Sequence, residues 1–313
     1  MGTYRTGAGP APVFAHVSGA PTNSDTTTRP QIRGRPLDPF LPPLRVAVFG
    51  ASPNPRKVAN VLLRNAKRSR GVASVCGVNP RHELVEGVEC HPSLDRVPWR
   101  VDLAVVAVPA RRVPDAVRQC VSAGVPAVVV VSSGFSEAGE EGRRLEERLR
   151  RALEGGSTRL LGPNTLGYIL PSQDLDVVFL EKGTFPRPAP GHIGVVTQSG
   201  SLGVDIMNEV HSCGNGISAF ISLGNKVDID ECDAIEHLAL DDDTRSMLVY
   251  LESVTDGRRL LRVLRRWAPR RPIVLLHGGR GRNGRRATSL HTGRMGAEHR
   301  VLSGVLDQTG VIE

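Results

Sequence analysis

Four stretches of this 313-residue chain carry residue types able to do chemistry. Thr197-Gln198-Ser199-Gly200-Ser201-Leu202-Gly203 sets two hydroxyls around a glycine, directly after the apolar run IGVV. Backbone amides at such a turn, with the positive end of a helix starting near Leu202, hold a phosphoryl group without a side-chain cation. An ordinary capped helix is the other reading of the same residues. Phe49-Gly50-Ala51-Ser52 closes an earlier apolar run, LRVAVFG, and offers a second amide cradle at a helix start. It is not a GxGxxG loop, and Val78-Asn79-Pro80 stands where a dinucleotide site would carry its ribose-binding acid. A nucleotide whose ribose is not held by a carboxylate suits it better than NAD; a generic strand-to-helix turn is the alternative. His291 lies in the Gly- and Arg-rich stretch GGRGRNGRRATSLHTGRMG. An imidazole can take up a phosphoryl group, and a loop that swings would let it visit two sites; a surface histidine is the bland reading. Glu252, closing SMLVYLE, could hold the far nitrogen of such an imidazole and fix its tautomer, or simply be a solvated strand-end acid.

The elements that must position these residues read as α/β. Short β-rich runs, LRVAVFG (44–50), VASVCGVNP (72–80), VDLAVVAVP (101–109), PAVVVVSSGF (126–135) and TRLLGPN (158–164), each end in small or turn residues. Between them lie helical patterns at 58–68, 113–124 and 140–156; the first should set Val58, Val61, Leu62 and Asn65 on one side. Strand–helix alternation of this kind predicts a doubly wound parallel sheet, with ligands at the carboxyl ends of its strands. After a proline-rich connection (Pro186, Pro188, Pro190) a second cycle opens with strand, loop and helix over 191–210. It continues with strands at 217–225, 246–254 and 272–279, and a helix over 258–271 with Leu260, Leu264 and Trp267 inward. The pattern predicts a disordered tail over 1–43, one α/β domain over 44–170 and another over 171–313; the tail holds eight prolines and no hydrophobic periodicity.

Composition narrows the classes. Hydrophobic residues are 40% of the chain, enough for a sizeable core, yet no apolar run approaches the roughly 18 residues of a spanning helix, and no apolar leader follows Met1. No membrane association is expected. Five scattered cysteines (76, 90, 120, 213, 232) without a CxxC pair argue against a disulfide framework or a zinc ribbon and for a reducing cytoplasm. No metal site is expected. Net charge is +8, and 13 arginines against the single Glu298 between 258 and 300 raise nucleic acid as a partner. RNA-binding surfaces stack bases on aromatics, which are 4% here, so no nucleic-acid partner is expected.

Taken together and in order, GASPNPRKV, VNPRHELVEG, VDLAVVAVPA, SSGFSEAGEEG, GPNTLGYI, TQSGSLG, SLGNKVDID, YLESVTDGR and SLHTGRMG…QTGVIE resemble the motifs of the alpha subunit of the NDP-forming acyl-CoA synthetases. That family includes ADP-forming acetate–CoA ligase and succinyl-CoA synthetase. The resemblance covers about residues 44–313 and is nearest the ADP-forming acetate branch. It implies an N-terminal Rossmann-like CoA-binding domain followed by a flavodoxin-like α/β ligase domain. It further implies an acid–CoA ligase working through an acyl phosphate and a phosphohistidine at His291, oriented by Glu252. Gly50, Ser52, Lys57, Asn79, Pro80, Ser132, Ser133 and Asn164 would line the CoA site, and Ser199, Gly200 and Ser201 would cradle phosphate. The substrate would be a small carboxylic acid. ATP or ADP with magnesium would enter through an ATP-grasp beta subunit or equivalent domain. The alternative is a non-catalytic protein that binds CoA or acyl-CoA, or regulates. Departures from the family pattern are Ala59 for a usual glycine, His277 for a usual lysine, and Arg294 and Met295 at small-residue positions.

Overall fold

The computed structural model describes residues 36–42, 44–278, 303–304 and 306–313. The expected tail up to residue 35, and the stretch bearing His291, Arg294 and Met295, lie outside the described residues. The last residues assigned to that tail are an anchored part of the fold. A short 3-10 turn, Asp38–Phe40, buries Phe40 edge-on against Tyr168, whose hydroxyl donates to the Phe40 carbonyl at 2.9 Å. An aromatic ring is large enough to fix a segment that shows no periodicity.

The first sheet is built on β1 (Leu44–Phe49), β2 (Val72–Val78), β3 (Leu84–Val85), β4 (Val88–His91), β5 (Leu103–Val106), β6 (Ala127–Val130) and β7 (Arg159–Leu161), in the order β3-β4-β2-β1-β5-β6-β7. All neighbours are parallel except β3 and β4. Those two form a hairpin on Glu86-Gly87, both with positive φ as a two-residue type I′ turn requires, and its short strands escaped the sequence pattern. Helices α1 (Val58–Arg68), α2 (Val113–Ser122) and α3 (Glu140–Leu153) accompany this sheet. The expected face of α1 is rotated. Ala59, Leu62, Leu63 and Ala66 are buried, whereas Val58 is 39% exposed. Asn65 is buried because its amide donates to the carbonyls of Val178 and Leu180, at 2.7 and 2.8 Å.

The second sheet holds β8 (Gly167–Leu170), β9 (Leu175–Val178), β10 (Pro190–Thr197), β11 (Ile217–Ser222), β12 (Ser246–Leu251) and β13 (Ile273–His277), ordered β13-β12-β10-β11-β8-β9. Strands β10 to β13 are parallel; β8 runs antiparallel to both β11 and β9. With it go α4 (Gly200–Ser212), α5 (Glu231–Ala239) and α6 (Gly257–Trp267). Helix α6 buries Leu260, Val263, Leu264 and Trp267 and turns its arginines outward, as its spacing predicted, except Arg259, which pairs with Asp230, Asp233 and Glu236 at α5. Gly203 lets α4 lie close on the sheet: a Cβ there would sit 2.7 Å from the Thr197 side chain and 2.9 Å from the Phe220 ring.

Candidate functional site

Two cavities open at the carboxyl ends of the strands. In the first sheet the chain leaves central β1 to pair β2 on one side and returns to pair β5 on the other, the switch point at which open α/β sheets bind ligands. A cleft of about 1050 Å³ lies there, lined by Gly50, Lys57, Val78, Asn79, Pro80 and Val108 among others. Gly50 has φ +87, and a Cβ would come within 2.5 Å of the Ala107 carbonyl, so only glycine allows this close turn. Asn79 donates to the Ala51 carbonyl at 2.6 Å and accepts from the Arg81 amide at 2.9 Å, tying the end of β2 to the glycine turn. Lys57, Arg81, Arg111 and Arg112 give the lining four cations against one carboxylate, Asp115. Such a wall favours a polyanion. The signal for the three arginines was present in RH after VNP and in the pair following VAVPA.

The second cavity, about 510 Å³, lies beside the first, and Val58 lines both. It gathers Ser133 and Asn164 with Ser199, Gly200 and Ser201. Residues tens of positions apart along the chain thus share one wall, although the family motifs divide them between a CoA site and a phosphate site. Ser199 caps α4, its hydroxyl accepting from the Leu202 amide at 3.4 Å and lying 3.2 Å from the Ser201 hydroxyl. Thr197 braces the turn by donating to the Ser199 carbonyl at 2.7 Å. Asn164 has φ +59, a left-handed conformation that asparagine tolerates, and its amide N–H donates to the Ser132 carbonyl at 3.0 Å.

Ser52 and Ser132 line neither cavity. The Ser52 hydroxyl accepts from the Asn54 amide, and its carbonyl accepts from Asn60. The Ser132 hydroxyl donates to the Val108 carbonyl at 2.6 Å, joining two strand ends. Both hold loop shape.

Glu252 follows β12 and is buried, with 6% of its surface exposed. Gln198, which sequence reading passed over, clamps it. The Gln198 amide oxygen accepts from the Glu252 and Ser253 N–H groups at 2.9 and 3.0 Å, and its nitrogen donates to the Ser253 hydroxyl at 2.9 Å. The phosphate-type loop and the acid are thereby one hydrogen-bonded unit. Tyr250 adds a second hold. Burial pushes its phenol up to about 12, and Glu252, both as a neighbouring charge and as hydrogen-bond partner, pushes the same way. Beneath them Lys226 and Glu231, both fully buried, pair at 2.8 Å; the ammonium also donates to the Ser253 carbonyl at 2.6 Å, and Glu231 accepts from the Thr255 amide. His277 is buried at the end of β13, on the side shared with Ile273 and Leu275 and in register with Leu251.

A polar bridge fixes the loop after β6 to the loop after β11. The Asn225 side-chain nitrogen donates to the Ser136 hydroxyl, to Glu137 and to Glu146, at 3.1, 2.6 and 3.2 Å. Glu137 in turn accepts from the Gly134 and Phe135 amides. These residues are spread from 134 to 225, which is why no local spacing revealed them.

Comparison with known proteins bears on both cavities. A CoA binding domain model matches residues 45–171, and a model of the succinyl-CoA ligase like flavodoxin domain matches 190–313. The chain is 40% identical over 273 residues to acetate–CoA ligase [ADP-forming] I of Archaeoglobus fulgidus, covering 87% of this chain and 39% of that protein. To the alpha subunit of acetate–CoA ligase [ADP-forming] II of Pyrococcus furiosus it is 33% identical over 276 residues, 88% of this chain and 59% of the subunit. A solved structure of dinucleotide forming acetyl-coenzyme A synthetase 1 from Ca. Korarchaeum cryptofilum, in complex with phosphate and ADP, superposes with a TM-score of 0.81 at 33% identity, over 88% of this chain and 59% of that one. The chain therefore spans between two fifths and three fifths of the length of these relatives.

Proposed function

The chain belongs to the family of the ADP-forming acetate–CoA ligase alpha subunits, joining a CoA-binding domain to a succinyl-CoA-ligase-like flavodoxin domain, and from that premise we propose that it is the CoA-binding, phosphoryl-relaying part of an acid–CoA ligase. The overall reaction is acid + CoA + ATP giving acyl-CoA, ADP and phosphate. The observation that carries this reading is the adjacency of a cation-lined cleft and a phosphate-type loop across the single wall of Val58.

CoA carries a pyrophosphate and a 3′-phosphate, and the lining fits it: four cations for the phosphates, apolar Val78 and Val108 beside them, and the close glycine turn at Gly50. Gly50, Lys57, Asn79 and Pro80 form that site together with Arg81 and Arg112, while Ser52 and Ser132 shape its loops. In the thioester-consuming direction, phosphate held by Ser199, Gly200 and Ser201 attacks the acyl carbon. The carbon–sulfur bond breaks, CoA leaves as thiolate, and an acyl phosphate forms. The imidazole of His291 then takes the phosphoryl group from that mixed anhydride and releases the carboxylate. Glu252, held by Gln198 and Tyr250, accepts the imidazole's other N–H and stabilises the positive charge that builds as the phosphoryl group arrives. ADP, brought with magnesium by an ATP-grasp partner subunit or domain, receives the phosphoryl group as ATP. The cytoplasm is the setting proposed: all five cysteines are free, and among the described residues no helix is long and apolar enough to cross a membrane.

The test is phosphoryl transfer from radiolabelled ATP in lysate of the source organism. Acid-labile, base-stable label on this chain, absent from His291→Asn, supports the relay. CoA binding without label, in the presence of a co-purifying ATP-grasp protein, would leave the chain a binder of CoA that does no turnover.

A further inference from the structure

The segment after β11 carries two neighbouring side chains that serve different domains. Gly224 and Lys226 have φ of +62 and +58, left-handed values that a residue bearing a Cβ adopts at a cost. Between them the backbone N–H of Asn225 donates to the Pro163 carbonyl at 2.8 Å. The Asn225 side chain faces the first domain: its oxygen accepts from Asn164 at 3.4 Å and its nitrogen donates to Glu137 at 2.6 Å. The other Glu137 oxygen accepts from the Gly134 and Phe135 amides, which fixes the turn beside Ser133. The Lys226 side chain faces the second domain, where its ammonium reaches Glu231 and the Ser253 carbonyl.

We infer that Asn225 is a positioning residue for Glu252, acting through the backbone of Lys226 and the Ser253 carbonyl although it touches neither reacting group. The inference rests on the phosphoryl-relay reading above and goes beyond it by naming how loops of the CoA-binding domain set the acid of the relay. Three observations carry it. First, the Glu252–Ser253 backbone is held from two directions: its N–H groups meet the Gln198 oxygen, and the Ser253 carbonyl meets the Lys226 ammonium. Second, a left-handed lysine persists only where its surroundings over-determine it, and Asn225 supplies that constraint on the side away from the ammonium. Third, Ser133 and Asn164 line the second cavity, so the link runs from the wall of that cavity to the acid. Without the Asn225 amide, Glu137 loses a donor, the Lys226 backbone relaxes, and the Ser253 carbonyl moves with it.

The experiment compares Asn225→Ala and Glu137→Gln with the unaltered full chain in three readings: label uptake from radiolabelled ATP in lysate of the source organism, CoA affinity by calorimetry, and the phenolate titration of Tyr250. Glutamine at 137 keeps an acceptor for the Gly134 and Phe135 amides while replacing the carboxylate oxygen that faces Asn225, so one variant answers if the other does not fold. Tyr250 is raised to about 12 by burial first and by Glu252 second, so its midpoint reports where Glu252 sits. Arg45→Met, which breaks the Arg45–Asp102 pair at the amino end of β1, is the control for lost stability. Both variants are expected to lose at least about tenfold in label uptake, since a displacement far from the chemistry misplaces the reacting groups. Their Tyr250 midpoint should fall toward the ordinary value near 10, with CoA affinity within about twofold of the unaltered chain. The control keeps its uptake and its midpoint. Unaltered uptake and midpoint in both folded variants would overturn the inference, as would an unmoved midpoint beside lost uptake, or equal losses in Arg45→Met. If the unaltered chain takes no label, the relay reading fails by itself; a lowered Tyr250 midpoint in the variants then still upholds the link from Asn225 to Glu252, and an unmoved one overturns it.

Discussion

Lys226→Met removes one member of the Lys226–Glu231 pair, which is wholly out of water. The side chain of methionine fills most of the volume, so the loss is electrostatic rather than a cavity. Glu231 would retain the Thr255 amide at 2.8 Å, but its charge would be uncompensated, and the Ser253 carbonyl would lose its donor. Breaking a buried pair from one side costs about 3–5 kcal/mol. In a domain of this size that corresponds to a fall in melting temperature of roughly 6–20 °C. Glu231→Gln added to Lys226→Met removes the orphaned charge while leaving an acceptor for Thr255, so the double variant should be less damaged than Lys226→Met alone. The coupling should reach about 1–3 kcal/mol. Thermal and urea unfolding of the wild type, both single variants and the double variant close the cycle. Lys226→Met melting within about 2 °C of wild type, or a double variant that loses the sum of the two singles, would refute the argument that this pair is the electrostatic floor beneath Glu252.

Other expectations follow from the same geometry. Gln198→Leu strips the acceptor from two buried N–H groups, each worth about 1–3 kcal/mol, and should depress phosphoryl transfer to His291 at least tenfold while CoA affinity stays within twofold; equal loss of both would point to general unfolding. Gly50→Ala forces a side chain into positive φ and against the Ala107 carbonyl, costing roughly 1–3 kcal/mol and weakening CoA in calorimetry; wild-type affinity and stability would contradict it. Tyr250, read by phenolate absorbance, should titrate near 12. Because its folded value is raised above the ordinary value near 10, the stability linked to it is full below about pH 10 and is lost as pH rises toward 12. Glu252→Gln should bring the midpoint down only part of the way, since burial is the larger cause; an unmoved midpoint would deny the Tyr250–Glu252 contact.

The parallel strands were legible because a strand buried on both faces is a short, continuous apolar run, and each such run found its place in a sheet. Helix α6 was legible because a half-buried helix must carry a 3.6-residue stripe. Where local chemistry suffices, the sequence also marked the chemistry: glycine at a turn that permits nothing larger, serine at a helix cap. Short antiparallel pieces such as β3, β4, β8 and β9 were not legible, since two to four residues carry too little periodicity to stand out. Nor was the full facing of α1: a stripe running through Val58, Val61, Leu62 and Asn65 did not anticipate that Val58 would line two cavities while Asn60 was buried and bonded. Tertiary structure alone decided three further things. It brought Ser133 and Asn164 to the loop of Ser199, fastened Gln198 to Glu252, and made a cation-lined cleft neighbour to an uncharged cavity. Each depends on contacts between residues tens of positions apart. The types of residue are written along the chain, but which of them meet is set by the packing of two sheets and the helices that join them.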